Sequence, residues 1–296
     1  MKIYRFNYQN TPLLNENISL CLGFFDGVHI GHRTLIEKAK EQNKPVGVLT
    51  FSSSFKKNDK SLTTIEDKID ILTKLNIDYL FIVENTFELA NLSAIDFVNF
   101  VLKKLNPSLV VVGSDFRFGH FGKGNPEILK DYFQTIVLDL LPLGDKKISS
   151  SWIRNLIEEG DIDLANQLLG RPYKITSRIV PGKGNGSSVL KFPTINLQIG
   201  EYATPKNGVY FVRMHINNTI YNGIANVGFH PTIDELFDPI IEIFLKEKID
   251  LSSGGGSVEF LHFLRNEKRF ENIELLKSQI ASDIGEMDKY FENDKK

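Results

Sequence analysis

The sequence predicts an α/β fold in two parts: a doubly wound, Rossmann-like domain, then a small antiparallel β-barrel with a terminal helix. Two observations predict it. Up to residue 170, apolar runs of strand length alternate with segments of helical period, the rhythm of a parallel sheet. From residue 173 onward, short strand-like runs follow one another without helical segments between them, punctuated by Gly, Pro and Asn.

In the first part, residues 18–25 and 45–51 read as strands around a polar-faced helix over 32–43, and residues 79–84 and 108–113 read as two more strands. Between these last two, Ala94, Phe97, Val98, Val101, Leu102 and Leu105 recur at helical spacing. Ser93 followed by Asp96 supplies a capping-box-like start, with Asp a shorter substitute for the usual Glu. A strand over 135–140 leads to two short helices, 150–159 and 161–169, the second with Asp161 as N-cap and Gly170 as terminator. In such a sheet the ligand site lies beyond the carboxyl ends of the strands.

In the second part the strand candidates are residues 174–180, 208–216, 219–228, 240–246 and 257–265. The expected boundary gives domains 1–170 and 171–296. A final helix over 272–291 carries Ile273, Leu276, Ile280, Ile284 and Met287 as one apolar stripe, the pattern of core packing. Residues 252–257, rich in Gly and Ser, read as a flexible turn.

Composition narrows the function classes. A chain of 296 residues, 42% hydrophobic and 24% charged, suits two modest folded domains and not a disordered protein. Lys and Arg number 35 against 37 acidic residues, so a net charge of −2 offers no general positive field for nucleic acid or an anionic membrane. Phosphate recognition must therefore be local. The single cysteine, Cys21, lies inside an apolar run and reads as a buried small hydrophobe; one cysteine forms neither an internal disulfide nor a thiolate zinc cluster. The first residues lack the apolar stretch of a secretory signal, and no run of about 18 apolar residues occurs, so a cytoplasmic enzyme is expected.

The most informative stretch is Gly23-Phe24-Phe25-Asp26-Gly27-Val28-His29-Ile30-Gly31-His32, at the junction of the first predicted strand and helix. A helix N-terminus offers free backbone N–H groups and partial positive charge to a phosphate, and imidazole donors placed there stabilise charge developing on a phosphoryl group. Two histidines in such a spacing also occur as incidental loop residues or as a metal pair. The glycine-rich setting at a strand-to-helix junction favours nucleotide binding by His29 and His32.

This segment resembles the H-x-G-H motif of the nucleotidyltransferase superfamily, and its wording is similar to that of the prokaryotic FAD synthetase family, whose members combine an FMN adenylyltransferase with a riboflavin kinase. Val112-Gly113-Ser114-Asp115-Phe116-Arg117-Phe118-Gly119 and Ile148-Ser149-Ser150-Ser151-Trp152-Ile153-Arg154 resemble two further signatures of that family. The resemblance implies a nucleotidyltransferase domain that transfers AMP from Mg·ATP to FMN, with pyrophosphate leaving. It implies that His29, His32 and Arg154 are catalytic, and that Gly23, Phe25, Gly31, Ser150 and Ser151 bind ATP. The loop carrying Asp115, Phe116 and Arg117 would receive the flavin, although its aromatics fit a core role as well. Ser150 or Ser151 could equally serve only as a helix cap, and Arg154 as a surface charge. One departure is local: the family's T-F-D-P-H-P reads Thr50-Phe51-Ser52-Ser53-Ser54-Phe55 here.

The second part resembles the family's riboflavin-kinase module. Phe192-Pro193-Thr194-Ile195-Asn196 matches its G-F-P-T-A-N element apart from Lys191 and Ile195, and Ala225-Asn226-Val227-Gly228 with Pro231-Thr232 matches another. Thr194 and Asn196 alternate onto one face of an extended segment, where a hydroxyl and a carboxamide oxygen could reach Mg²⁺ and nucleotide phosphates. Glu242 occupies the position of the family's catalytic carboxylate, and a lone Glu in an apolar strand is also commonly its solvent-facing member. Three changes predict weak or absent kinase chemistry: the lengthened loop of residues 181–190, Lys191 in place of Gly, and a D-L-Y-G turn that has lost its Tyr at residues 250–256. Two rival classes remain at this level. One is a flavin-binding regulator that keeps the fold without turnover, which the intact His29, His32, Ser150 and Arg154 disfavour. The other is a nucleotidyltransferase acting on a different phosphate ester, which the second domain disfavours.

Overall fold

The first apolar runs become a six-stranded sheet in which every pair is parallel. Its strands are β1 (Lys2–Phe6), β2 (Ile18–Leu22), β3 (Val46–Phe51), β4 (Tyr79–Val83), β5 (Pro107–Gly113) and β6 (Thr135–Leu138), in the order β1-β4-β3-β2-β5-β6. The computed structural model describes residues 1–53, 60–139, 141–180, 194–228, 239–247 and 254–293. The chain divides into two units, Met1–Trp152 and Ile153–Lys296.

Every residue of β2, β3 and β4 is buried, which is why these strands read as continuous apolar runs: helices cover both faces of the sheet. One face is filled by a cluster that includes Leu20, Leu22, Phe81, Phe97 and Val112, the other by one that includes Cys21, Ile36, Val48 and Leu80. The edge strand β1 is largely exposed, and its polar sequence hid it from the apolar pattern.

Helix α1 (Ile30–Lys40) follows β2, and α2 (Ile65–Lys74) precedes β4. Thr64 caps α2 in a complete capping box with Asp67. After α3 (Phe87–Ala90), α4 (Ala94–Phe97) starts at Ser93, whose hydroxyl accepts from the Asp96 backbone N–H as the sequence predicts. The helical path then widens into a π-turn over Val98–Leu102 and tightens to a 3₁₀ turn over Lys103–Leu105. Phe97, Val98, Val101, Leu102 and Leu105 along this path are all buried, forming one apolar face. Left-handed Asn106 ends the path. The unit is completed by α5 (Pro126–Lys130), the small hairpin β7 (Pro142–Leu143) and β8 (Lys146–Lys147), and the start of α6 (Ser150–Glu159).

In the second unit α7 (Ile162–Leu169) is capped by Asp161 and closed by left-handed Gly170, both as predicted. Six strands follow: β9 (Tyr173–Val180), β10 (Thr194–Gln198), β11 (Gly208–Ile216), β12 (Thr219–Gly228), β13 (Ile240–Leu245) and β14 (Gly255–Arg265). They close into an antiparallel barrel in the order β10-β13-β12-β11-β14-β9. The flexible turn expected over 252–257 is corrected at its end, where Gly255, Gly256 and Ser257 pair with Arg178, Ser177 and Thr176 of β9. Glycine packs closely there: a Cβ on Gly256 would lie 2.5 Å from Met214 Cε and 3.0 Å from the His215 carbonyl oxygen, so a larger residue would force the Met214 side chain to shift.

Helix α8 (Ile273–Asn293) lies on the outer face of this barrel. Met287 and Phe291, with Ile284, pack against Val209, Phe211, Ile224 and Leu261. Ile273, expected in the same stripe, is exposed at the first residue of the helix.

Candidate active sites

The order of the sheet places a site in the first unit. From β2 the chain lays β3 and β4 to one side, then places β5 and β6 on the other, so the topology reverses between β2 and β5. A cleft of about 390 Å³ opens at the carboxyl ends of these strands, lined in part by Gly23, Phe51, Gly113 and Leu138. His29, Gly31 and His32 line it as well.

The loop between β2 and α1 turns sharply. Phe25 (φ 51°), Gly27 (φ 77°) and Val28 (φ 40°) are all in left-handed conformations. For an aromatic and a β-branched residue each such conformation costs about 1–3 kcal/mol and persists only where the surroundings over-determine it. They do so here. The buried Asp26 carboxylate accepts the Leu62 N–H at 2.9 Å and the Thr63 N–H at 3.2 Å, and the Gly27 N–H donates to Thr63 Oγ1 at 3.0 Å. From the other side Ser150 Oγ donates to the Asp26 carbonyl at 2.9 Å.

That loop delivers two stacked imidazoles. His29 is the N-cap of α1, its Nδ1 accepting the His32 N–H at 3.3 Å. A nitrogen that accepts carries no proton, so the neutral His29 ring holds its proton on Nε2 as a donor. The two rings are stacked, with centroids 3.7 Å apart. Gly31 is the residue this stacking needs, because a Cβ there would sit 3.2 Å from His29 Cε1 and Nδ1.

The structure brings most of the predicted residues to this cleft. Ser150 and Ser151 line it at the start of α6; the helix is capped by Ser149, whose Oγ accepts the Trp152 N–H at 3.3 Å, while Ser150 Oγ is the donor to the Asp26 carbonyl. Asp115, Phe116 and Arg117 line it from the loop after β5, with Phe116 stacked on Phe118 at 5.6 Å. The Phe25 side chain is fully buried and is not among the lining residues; it backs the His32 ring at a centroid distance of 4.9 Å. Arg154 lies one turn past Ser150 on α6, within the second unit, and is not among the lining residues. Sequence reasoning missed Phe24, Phe51, Thr34 and Asp139 as lining residues. Among the described residues no cluster of His, Cys, Asp and Glu could by itself hold a metal ion.

A second cavity, of about 410 Å³, lies in the second unit between the barrel's outer face and α8. The alternation of β10, β12 and β13 builds it: Ile195, Ala225 and Ile243 point into the barrel, while Thr194, Asn226 and Glu242 line the cavity. Glu242 is directly opposite Asn196 on one neighbouring strand and Asn226 on the other. Asn196 is not a lining residue; its Oδ1 is buried with no hydrogen-bond partner among the described residues. Leu276 and Ile280 of α8 form an apolar wall, so the upper part of the predicted core stripe faces a cavity. The altered loop of residues 181–191 and the turn at 250–253 lie outside the described residues.

Residues 12–152 match the FAD synthetase family, and residues 169–291 match the riboflavin kinase family. The bifunctional riboflavin kinase/FMN adenylyltransferase of Bacillus subtilis is 34% identical, across 93% of this chain and 92% of that one. The chain belongs to the bifunctional riboflavin kinase/FMN adenylyltransferase family. The Listeria monocytogenes protein of the same description is 32% identical, over 93% of each chain. A crystal structure described as a macrolide-efflux protein from Streptococcus pneumoniae superposes with a TM-score of 0.84 at 26% identity, over 96% of this chain and 98% of that one. Among the described residues no helix is long and apolar enough to cross a membrane.

In this family member the cavity of the second unit depends on α8 staying against the barrel. Arg265 at the end of β14 donates from Nη2 to Asp283 Oδ2 at 2.6 Å and from Nε to Oδ1 at 3.0 Å, and Gln279 Nε2 donates to the same carboxylate at 2.8 Å. Asp283 is 3% exposed. Replacing it with Ala leaves the guanidinium without its partner, and we expect a loss of about 3–5 kcal/mol from the second unit, read by urea unfolding. The cavity should open in parallel, because Leu276 and Ile280 of its wall are carried by the same helix.

Proposed function

We propose that this chain makes FAD from riboflavin in two ATP-dependent steps: phosphorylation to FMN in the second unit and adenylylation of FMN in the first. The observation that carries the adenylylation reading is the stacked His29–His32 pair at the N-terminus of α1, opening onto a cleft at the topological switch point. A phosphate oxygen of FMN attacks the α-phosphorus of ATP, the bond to the β-phosphate oxygen breaks, and pyrophosphate leaves. In our reading His29 Nε2–H and His32 stabilise the charge developing on the α-phosphate, without covalent modification of the chain. Gly23 and Gly31 permit close approach of the nucleotide, and the α6 N-terminus with Ser151 receives the triphosphate. Arg154 supplies charge for the β- and γ-phosphates. Asp115, Phe116 and Arg117 are assigned to the flavin.

For phosphorylation we assign Glu242 as the base that takes the proton of the flavin's ribityl hydroxyl as it attacks the γ-phosphorus of ATP, while the bond to the β-phosphate oxygen breaks and ADP leaves. The donor set suits a hard cation: Asn196 presents a buried carboxamide oxygen with no hydrogen-bond partner among the described residues, and Thr194 is two residues away on the same face. These two would hold Mg²⁺, which when bound neutralises phosphate charge and orients the nucleotide. We expect FMN formation to be the slower step, because the loop before Thr194 departs from the family's pattern at Lys191 and in its length. Positioning can supply about 7–11 kcal/mol of a barrier, so a displaced loop slows turnover even where the reactive groups are kept.

Pure protein incubated with Mg·ATP and either FMN or riboflavin, followed by chromatography of the flavins, tests both assignments. FAD and pyrophosphate from FMN support the first step assigned to the cleft. Absence of FAD from that mixture would return the chain to the class of flavin-binding regulators.

A further inference from the structure

Behind the cleft of the first unit lies a lysine that the reaction, as assigned above, does not use. Lys68, in the first turns of α2, is 3% exposed. Burying an ammonium costs free energy unless hydrogen bonds and charge compensate it, so an apolar side chain would fill this position more cheaply if packing were the only demand. Its Nζ donates to the Phe24 carbonyl oxygen at 3.0 Å and lies 4.4 Å from the centroid of the Phe24 ring. The same carbonyl also accepts from Thr50 Oγ1 at 2.7 Å. Phe24 therefore has its backbone held by two donors and its ring held by a cation. It immediately precedes the left-handed turn at Phe25, Gly27 and Val28, and its ring lines the cleft, stacked on Phe51 at 6.4 Å.

We infer that Lys68 is a positioning residue for adenylyl transfer: it fixes the Phe24 ring as an aromatic platform for a planar ring of one of the two substrates. The inference rests on the adenylylation reading of the cleft. Two features favour it over a purely structural role. Lys68 bonds the backbone and faces the ring of a residue that lines the cleft. The start of α2 is already fixed without it, by the Thr64–Asp67 capping box and by the bonds from Leu62 and Thr63 to Asp26. The planar ring is either the isoalloxazine of FMN or the adenine of ATP, and kinetics distinguish the two.

The test compares Lys68→Met and Lys68→Arg in the full chain, measuring FAD formation with each substrate varied in turn. Flavin-fluorescence quenching and thermal unfolding are followed on the same samples. Lys68→Met should raise the KM for one substrate about tenfold, the scale of one aromatic stacking contact, with kcat changed far less and the melting transition retained. Lys68→Arg, which keeps a cation near the ring, should recover part of that loss. A rise in the FMN KM with weakened quenching assigns the platform to the flavin; a rise in the ATP KM alone assigns it to adenine. Both KM values within twofold of wild type would overturn the inference, as would equal losses in kcat and both KM values. Should Lys68→Met fail to fold, Phe24→Leu with Lys68 intact must show the same split in KM; unchanged constants there overturn it too. A wild-type chain that makes no FAD would instead sink the reading of the cleft itself.

Discussion

We expect His29→Ala and His32→Ala each to lower the rate of FAD formation from FMN by roughly 10²–10³, the scale for losing one donor to charge that develops in a transition state. The two rings are stacked and the backbone of one is bonded to the ring of the other. The double variant should therefore lose less than the product of the single losses. His29 also caps α1, so His29→Ala weakens that helix by about 1 kcal/mol, whereas His29→Asn keeps a capping side chain and still loses the imidazole. Steady-state assays on all four variants, with FMN formation from riboflavin as the internal control, separate chemistry from folding. Undiminished FAD synthesis by the double variant would remove the histidines from the mechanism.

The second large effect belongs to Glu242. Glu242→Gln preserves shape and the cross-strand neighbours Asn196 and Asn226, and replaces the carboxylate assigned as proton acceptor with a neutral amide. We expect FMN formation to fall by about 10²–10⁴, the usual contribution of a positioned general base, while FAD formation from supplied FMN is unchanged. The comparison is informative because one preparation reports both steps. Equal phosphorylation by wild type and Glu242→Gln would show that the carboxylate only lines the cavity.

How much of this was legible in the sequence depends on the range of the interactions. Strands buried on both faces announced themselves as apolar runs, and the caps at Ser93 and Asp161 were readable because partner and cap are three residues apart. The same local signal, Thr64 with Asp67, would have revealed α2, which went unread; β1 could not be read because an edge strand needs no apolar alternation. His29, Gly31 and His32 were legible as a motif, but the reason for Gly31, a ring lying over its Cα, required coordinates. A loop motif does not say which of two adjacent aromatics turns inward; Phe25, at its left-handed position, has its ring behind His32, and Phe24 lies at the cleft. The bonds from Asp26 to Leu62 and Thr63 and from Lys68 to Phe24 span 36 to 44 residues, and Arg265 finds Asp283 across a turn and a helix. Pairings of that kind leave no periodic trace.

Cys21 gives the first unit a built-in reporter. It is the chain's one cysteine, fully buried on the central strand β2, with Sγ donating to the Leu35 carbonyl at 3.5 Å. Burial pushes its thiol pKa far up, and the thiolate is the form that reacts with alkylating agents. Iodoacetamide or a maleimide can therefore modify the native chain only through an opening that uncovers the middle of the sheet. Intact-mass spectrometry of the labelling rate against denaturant would measure that opening for the FAD synthetase half alone, since the kinase half contains no thiol to contribute signal. Bound ATP or FMN should slow the labelling in proportion to its occupancy of the cleft. A single unreactive sulfur thus becomes a site-resolved gauge of ligand binding that needs no engineered label.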